Sequence, residues 1–126
     1  MFKTAFNGFS VSDAEEARAF YRDVLGLQVT SYGYGTDIAL PGGGRLFFYP
    51  KGADHTPATY TMLNLVVDDI DKAVDELSAK GVQFLHYAYT DDKGIQRGRV
   101  HGKGPDQAWF TDPSGNIISV IVEAGA

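Results

Sequence analysis

A single pattern occurs twice in this chain of 126 residues. Around Val11-Ser12-Asp13 an apolar strand pattern runs into an amphipathic helix, and around Val67-Asp68-Asp69 it returns, with Asp13 and Asp69 in matching positions. An internal repeat constrains architecture more strongly than any residue-level signal, because each copy must fold as the same supersecondary unit. Two equivalent halves are expected to enclose a cleft, and clefts of that kind hold small molecules.

Within the first copy, Ala5 to Val11 reads as a strand, with Phe6, Gly8 and Ser10 on one face and Ala5, Asn7, Phe9 and Val11 on the other. Ser12 or Asp13 can cap the following helix, with Glu15 or Glu16 as capping-box partner. Ala14, Ala17, Phe20, Tyr21, Val24 and Leu25 recur at helical spacing and form one stripe against a sheet, and Gly26 ends the helix. Leu27 to Tyr34, Asp37 to Leu40 and Arg45 to Tyr49 follow as three short strands, joined at Gly33/Gly35 and at Pro41-Gly42-Gly43-Gly44. That glycine run lacks a Gly-Lys-Ser/Thr ending and precedes a strand, so it reads as a hairpin turn and not as a phosphate loop.

Asp54-His55-Thr56-Pro57 is the expected linker. Beyond it Thr61 to Val67 is a strand with Met62, Asn64 and Val66 facing one way, and Ile70, Ala73, Val74 and Leu77 form the second helical stripe, closed by Gly81. Val82 to Tyr89, Gln107 to Thr111 and Asn116 to Val122 complete the unit as strands, the last two joined by the turn Asp112-Pro113-Ser114-Gly115. The expected fold is therefore α+β, two βαβββ modules forming curved mixed sheets around a cleft with the helices outside. It is one domain over residues 1–126, with module 1 at about 1–54 and module 2 at about 58–126.

Composition narrows the function. An apolar content of 44% suits a packed core, and a net charge of −5 argues against a nucleic-acid surface, which needs clustered cations. The absence of cysteine excludes disulfides, thiolate metal sites and cysteine nucleophiles. The N-terminal residues lack a signal-peptide pattern and no apolar run is long enough to span a bilayer, so a cytoplasmic protein with no membrane association is expected.

The stretches Val11-Ser12-Asp13 and Ala19-Phe20-Tyr21-Arg22-Asp23-Val24-Leu25-Gly26-Leu27, together with Asp112-Pro113-Ser114-Gly115-Asn116, resemble the vicinal oxygen chelate superfamily. That group spans glyoxalase I, extradiol dioxygenases, fosfomycin-resistance enzymes and bleomycin-binding resistance proteins. Leu65-Val66-Val67-Asp68-Asp69-Ile70 with Ala73-Val74-Asp75-Glu76-Leu77 looks like the start of its second module, so the resemblance covers nearly the whole chain. It implies a fold and not an activity, which must be argued from the site.

Enzymes of that superfamily hold one divalent metal through His, Gln and Glu side chains, and the metal acts as Lewis acid toward adjacent substrate oxygens. By the resemblance, the ligand positions fall here on Phe6, Met62 and Ser119. Phenylalanine has no lone pair, a thioether is too soft for Mg, Mn or Fe(II), and a neutral hydroxyl is a poor substitute for a carboxylate. The three histidines, His55, His86 and His101, lie in a linker, a strand and a loop without metal-site spacing. No metal and no cofactor is expected.

What remains is an apolar and aromatic cleft face: Phe6 and Met62 near its centre, with Phe47, Tyr49, Asn64, Trp109 and Ser119 as the other ligand-binding candidates. Residues of these types at strand spacing also serve as plain core, and a buried Asn64 amide also bonds to backbone. Tyr32, Tyr34, Tyr60, Tyr87 and Tyr89 could line the cleft or a subunit contact; none has a base beside it in sequence. Between Thr90 and Asp106 a glycine-rich insertion concentrates Lys93, Arg97, Arg99, His101 and Lys103, which reads either as a lid holding an anionic group or as a solvated hairpin or intersubunit arm.

The expectation is a metal-free small-molecule-binding protein of the glyoxalase/bleomycin-resistance type, taking a hydrophobic or aromatic ligand in the inter-module cleft and acting by sequestration. No catalytic residue is assigned. A homodimer is implied by the resemblance, and the acidic surface mildly favours a cationic ligand. The alternatives are a glyoxalase-like lyase or dioxygenase-like enzyme using a metal held by non-family ligands, metal-free chemistry by Tyr or His, or a vestigial pocket in a protein that serves association.

Overall fold

Asp13 and Asp69 cap the two helices. In the computed structural model, which describes residues 1–125, Asp13 Oδ1 accepts from Glu16 N at 2.9 Å and Asp69 Oδ1 from Lys72 N at 3.1 Å. Each contact satisfies one of the backbone donors a helix start leaves unpaired. The element order is β1 (Asn7–Val11), α1 (Ala14–Ala19), β2 (Gln28–Ser31), β3 (Thr36–Ala39) and β4 (Arg45–Pro50), then β5 (Thr61–Val66), α2 (Ile70–Ala79), β6 (Ile95–Arg97), β7 (Asp106–Thr111) and β8 (Ile117–Val122). The chain separates into two compact units, Met1–Pro57 and Ala58–Ala126, and each runs β-α-β-β-β. The fold is α+β, with two open four-stranded mixed sheets ordered β1-β4-β3-β2 and β5-β8-β7-β6.

In the first module β1 runs parallel to β4, while β2, β3 and β4 form antiparallel ladders. Strand alternation puts Phe9, Val11, Ile38, Leu46 and Phe48 on the face that α1 covers, all nearly or fully buried. The Tyr21 ring completes this core, 5.8 Å from both Phe9 and Phe48. Burying one such side chain stabilises the fold by about 1.5–3 kcal/mol. The helix expected to continue to Leu25 changes pitch after Ala19: Phe20–Val24 is a π-helical turn, closed by Leu25 N to Phe20 O. The wider turn leaves Tyr21 fully buried and Phe20 half-buried, so the apolar stripe is narrower than a regular helix would give.

In the second module β5 runs parallel to β8, with β7 and β6 antiparallel beyond it. Leu63, Ile118, Val120, Ala108, Phe110 and Ile95 face α2, whose Ile70 and Val74 are buried against them. The strand expected over Val82 to Tyr89 does not form. Leu85 N donates to Trp109 O at 2.8 Å, but the segment has no ladder; Phe84 packs edge-on against Phe110 instead. The ladder place beside β7 goes to β6, inside the stretch that reads as a loop from sequence. Ile95 pairs with Ala108 and is fully buried, and a hairpin closed over a short connection forms more readily than a pairing with a distant segment. No helix among the described residues is long and apolar enough to cross a membrane.

Asp112 builds the turn before β8. Its Oδ1 accepts from Ser114 N and Asn116 N, both at 2.9 Å, and its Oδ2 from Asn116 Nδ2 at 3.0 Å. Asn116 Oδ1 in turn accepts from Ala58 N at 2.9 Å, tying the module's first residue to its last hairpin. The Asp-Pro-Ser-Gly-Asn run is therefore a structural knot.

Candidate functional site

The period-2 alternation that buries Phe9 and Phe48 turns Phe6, Gly8, Ser10, Arg45, Phe47 and Tyr49 to the opposite, open face of the first sheet. Phe47 is the hub of that face. Phe6 meets it edge-on at 6.2 Å, Tyr34 lies 5.8 Å away, and Tyr49 stacks at 6.4 Å. Tyr32 stacks on Tyr34 at 5.9 Å. The Arg45 guanidinium sits 3.9 Å over the Phe6 ring and bonds Asp37 at 2.7 Å, so one cation is fixed both by a carboxylate and by an aromatic face. This surface is open despite its chemistry: Phe6 is 50%, Tyr34 75% and Tyr49 40% exposed. A contiguous exposed aromatic surface on a small protein marks an interaction site. Gly35 makes room for it, since a Cβ there would lie 2.2 Å from the tip of the Phe47 ring.

Ser10 Oγ and His55 Nδ1 are 2.7 Å apart, joining the linker histidine to the open side of β1.

On the second sheet the open face carries a polar cluster. Ser119 Oγ donates to Asn64 Oδ1 at 2.6 Å, and Gln107 Nε2 donates to Ser119 Oγ at 3.0 Å and to Asn64 Oδ1 at 3.1 Å. Ser119 is fully buried, whereas Asn64 is exposed. Beside them Trp109 Nε1 donates to Thr61 Oγ1 at 3.1 Å, and the Trp109 ring is met edge-on by Tyr87 at 5.6 Å and Tyr89 at 5.9 Å. Met62 lies half-buried at the bulge between Thr61 and Leu63. Thus the first module brings Phe6, Phe47 and Tyr49 together, and the second brings Asn64 and Ser119 together next to Trp109.

Gln107, Arg45 and Gly35 are not legible as site residues in the sequence. Gln107 had a signal, since it stands two positions before Trp109 and must share its face. Arg45 had the same signal, standing two positions before Phe47; Gly35 had none, because its partner is brought in by sheet pairing.

The stretch from Thr90 to Asp106 is a hairpin whose first half is tied to α2, while Arg99 to Lys103 are exposed. Arg97 forms a two-pronged pair with Asp71 of α2 at 2.7 and 2.8 Å and reaches Asp91 at 3.0 Å; Lys93 bridges Asp71 and Asp75 at 2.9 and 2.8 Å. Hydrogen bonds from Arg97 and then Lys93 hold the Asp71 carboxyl well below the usual carboxylate range, and Asp71 raises Arg97 in return. At Asp91 burial pushes upward, but the Ile95 N–H, Arg97 and the Lys93 N–H outweigh it and the carboxyl is lowered.

A divalent metal is the group the fold implies, and the donors present do not suit one. Phe6 offers a ring already covered by Arg45, Met62 a thioether, and Ser119 a hydroxyl committed to Asn64 and Gln107. Among the described residues no three His, Cys, Asp or Glu side chains group closely enough to hold an ion.

A family model described as the Glyoxalase/Bleomycin resistance protein/Dioxygenase superfamily matches residues 5–120. Among solved structures, the antibiotic binding protein TnmS3 from Streptomyces sp. CB03234 superposes with a TM-score of 0.68 at 23% identity, covering 98% of this chain and 99% of its own. The oxidase ChaP-H2 gives a TM-score of 0.68 at 23% identity, over 99% of this chain and 98% of its own. A lactoylglutathione lyase from Agrobacterium tumefaciens gives 0.64 at 18% identity, over 98% and 93%. At these identities the likeness shows the shared fold alone. No curated protein sequence matches the chain significantly.

Proposed function

The chain belongs to the glyoxalase/bleomycin resistance protein/dioxygenase superfamily, and from that premise we propose that it is a metal-free protein that binds a small hydrophobic or aromatic molecule. The observation that carries this is the exposed aromatic face of the first module, where Phe6, Tyr34 and Tyr49 surround Phe47. Rings already arranged edge-on and stacked accept a further planar ring with little reorganisation, which lowers the entropy cost of binding. Phe6, Phe47 and Tyr49 are the proposed contacts on the first module, and Met62, Asn64 and Trp109 on the second, while the fully buried Ser119 acts by holding the Asn64 amide. The lack of a charged donor among Phe6, Met62 and Ser119 supports binding without a metal, and the antibiotic-binding neighbour is a precedent for small-molecule binding on this fold.

The test is a titration of the purified protein with a panel of planar polycyclic aromatic compounds, followed by calorimetry, alongside Phe6→Asp and Met62→Lys. Native mass spectrometry reports subunit and metal content of the same samples. Micromolar binding to a metal-free homodimer, lost in both variants with the circular dichroism spectrum retained, is the expected result. Binding untouched by both changes would remove the site assignment. One tightly held divalent ion per chain, with turnover abolished by chelator, would replace the reading with a metalloenzyme.

A further inference from the structure

We propose that the second module carries an anion-binding pocket of its own, at the β6 edge of its sheet, that takes a small aromatic carboxylate. The cavity is about 370 Å³, within the range that suits a small molecule, and its walls include Tyr89, Thr90, Gln96, Gly98, His101 and Lys103. It belongs to this module alone and needs no residue from the aromatic face of the first.

Three observations converge on an anion. The chain is acidic overall, yet His101 and Lys103 have no carboxylate within ion-pair distance among the described residues. The two other charges in the wall cancel, because Asp91 is filled by the Lys93 and Ile95 N–H groups and by Arg97, while Arg97 is held by Asp71 and Asp91. The cationic character of the pocket therefore rests on Lys103, with the His101 ring and the Gln96 amide as further N–H donors in the same wall.

His101 and Lys103 stand on a fixed turn. Gly98 O accepts from His101 N at 3.2 Å and from Lys103 N at 2.8 Å, so one carbonyl anchors the backbone of both. Gly98 N donates to Pro105 O at 3.1 Å, and Arg99 N donates to Asp106 Oδ1 at 3.0 Å. A Cβ on Gly98 would lie 2.4 Å from Pro105 O, which only glycine avoids. The backbone of the cationic rim is thus set before a ligand arrives, the condition under which charge-assisted hydrogen bonds add most to affinity.

The aromatic half of the ligand is read from Tyr89. Its ring is 57% exposed and stacks on Tyr87 at 5.4 Å with 12° between planes, and both stand edge-on to Trp109. A planar ring laid on Tyr89 would share the cavity with Gln96, His101 and Lys103, which supply the donors for its carboxylate.

The experiment compares 2-naphthoate with the uncharged isostere 2-naphthamide, by calorimetry and by amide NMR shifts of the full chain. Naphthoate is expected to bind about tenfold tighter than the amide, with shifts centred on Tyr89, Gln96, His101 and Lys103. His101→Gln and Lys103→Gln should each weaken naphthoate about threefold, in line with one exposed hydrogen bond and one exposed charge pair, and together erase the preference. Both side chains are exposed, so folding is expected to be unaffected. Equal affinity for the two compounds, no binding of either, or a preference that survives the double variant overturns the proposal. Naphthoate shifts confined to Phe6, Phe47 and Tyr49 also overturn it while leaving the aromatic-face reading intact.

Discussion

Ser119 and Asn64 are paired in the register of β8 and β5, and the Ser119 hydroxyl donates a 2.6 Å hydrogen bond to the Asn64 carbonyl. A hydroxyl with its own acceptor, and with Gln107 donating to it, is satisfied without any ion. Ser119→Ala should therefore cost about 1 kcal/mol of folding stability, the usual effect of deleting one partner of a buried hydrogen bond. Urea unfolding of the variant checks it; an unchanged midpoint would show that the network contributes nothing.

Gly35→Ala is expected to damage the aromatic face more than the core. The new methyl overlaps the Phe47 ring, which must turn away and lose its contacts with Tyr34 and Tyr49. Overpacking of this kind costs about 1–3 kcal/mol. Aromatic-ligand affinity should fall at least as far as Phe47→Ala lowers it, with Phe48 and Tyr21 NMR shifts unmoved.

Thr36 is fully buried, and its hydroxyl has no partner among the described residues. Thr36→Val removes a desolvated polar atom while keeping the branched shape that suits β3. It should stabilise the protein by about 1 kcal/mol, read as a raised thermal midpoint.

Asp71 links stability to acid. Its carboxyl titrates lower in the folded protein than in the unfolded chain, because Arg97 and Lys93 bond the charged form. The contribution is complete above the unfolded value, about pH 4, and is lost as pH falls toward the folded one. With the side chain 47% exposed, solvent screening limits it to about 1 kcal/mol. Asp71→Asn should be less stable than the parent at neutral pH and lose less on going to about pH 3; parallel losses in urea midpoint would remove the role.

The repeat, the two aspartate caps, the strand alternation and the position of both helices were legible in the residue order, because each depends on contacts a few residues apart. Phe6 and Phe47 were legible as members of one face for the same reason: period-2 alternation decides which way a strand residue points. What the tertiary structure decided is everything that depends on which segment pairs with which. Ile95-Gln96-Arg97 is too short and polar to read as a strand, yet it takes the ladder beside β7 and leaves the more apolar Val82–Tyr89 without one. That pairing, with Asp71 supplied by α2, turns a run of cations from a loop into a framework holding Arg97 and Lys93, and leaves His101 and Lys103 on the rim of a cavity. Local periodicity sets direction; partner choice is a competition among distant segments for the same backbone hydrogen bonds, and only the folded chain resolves it.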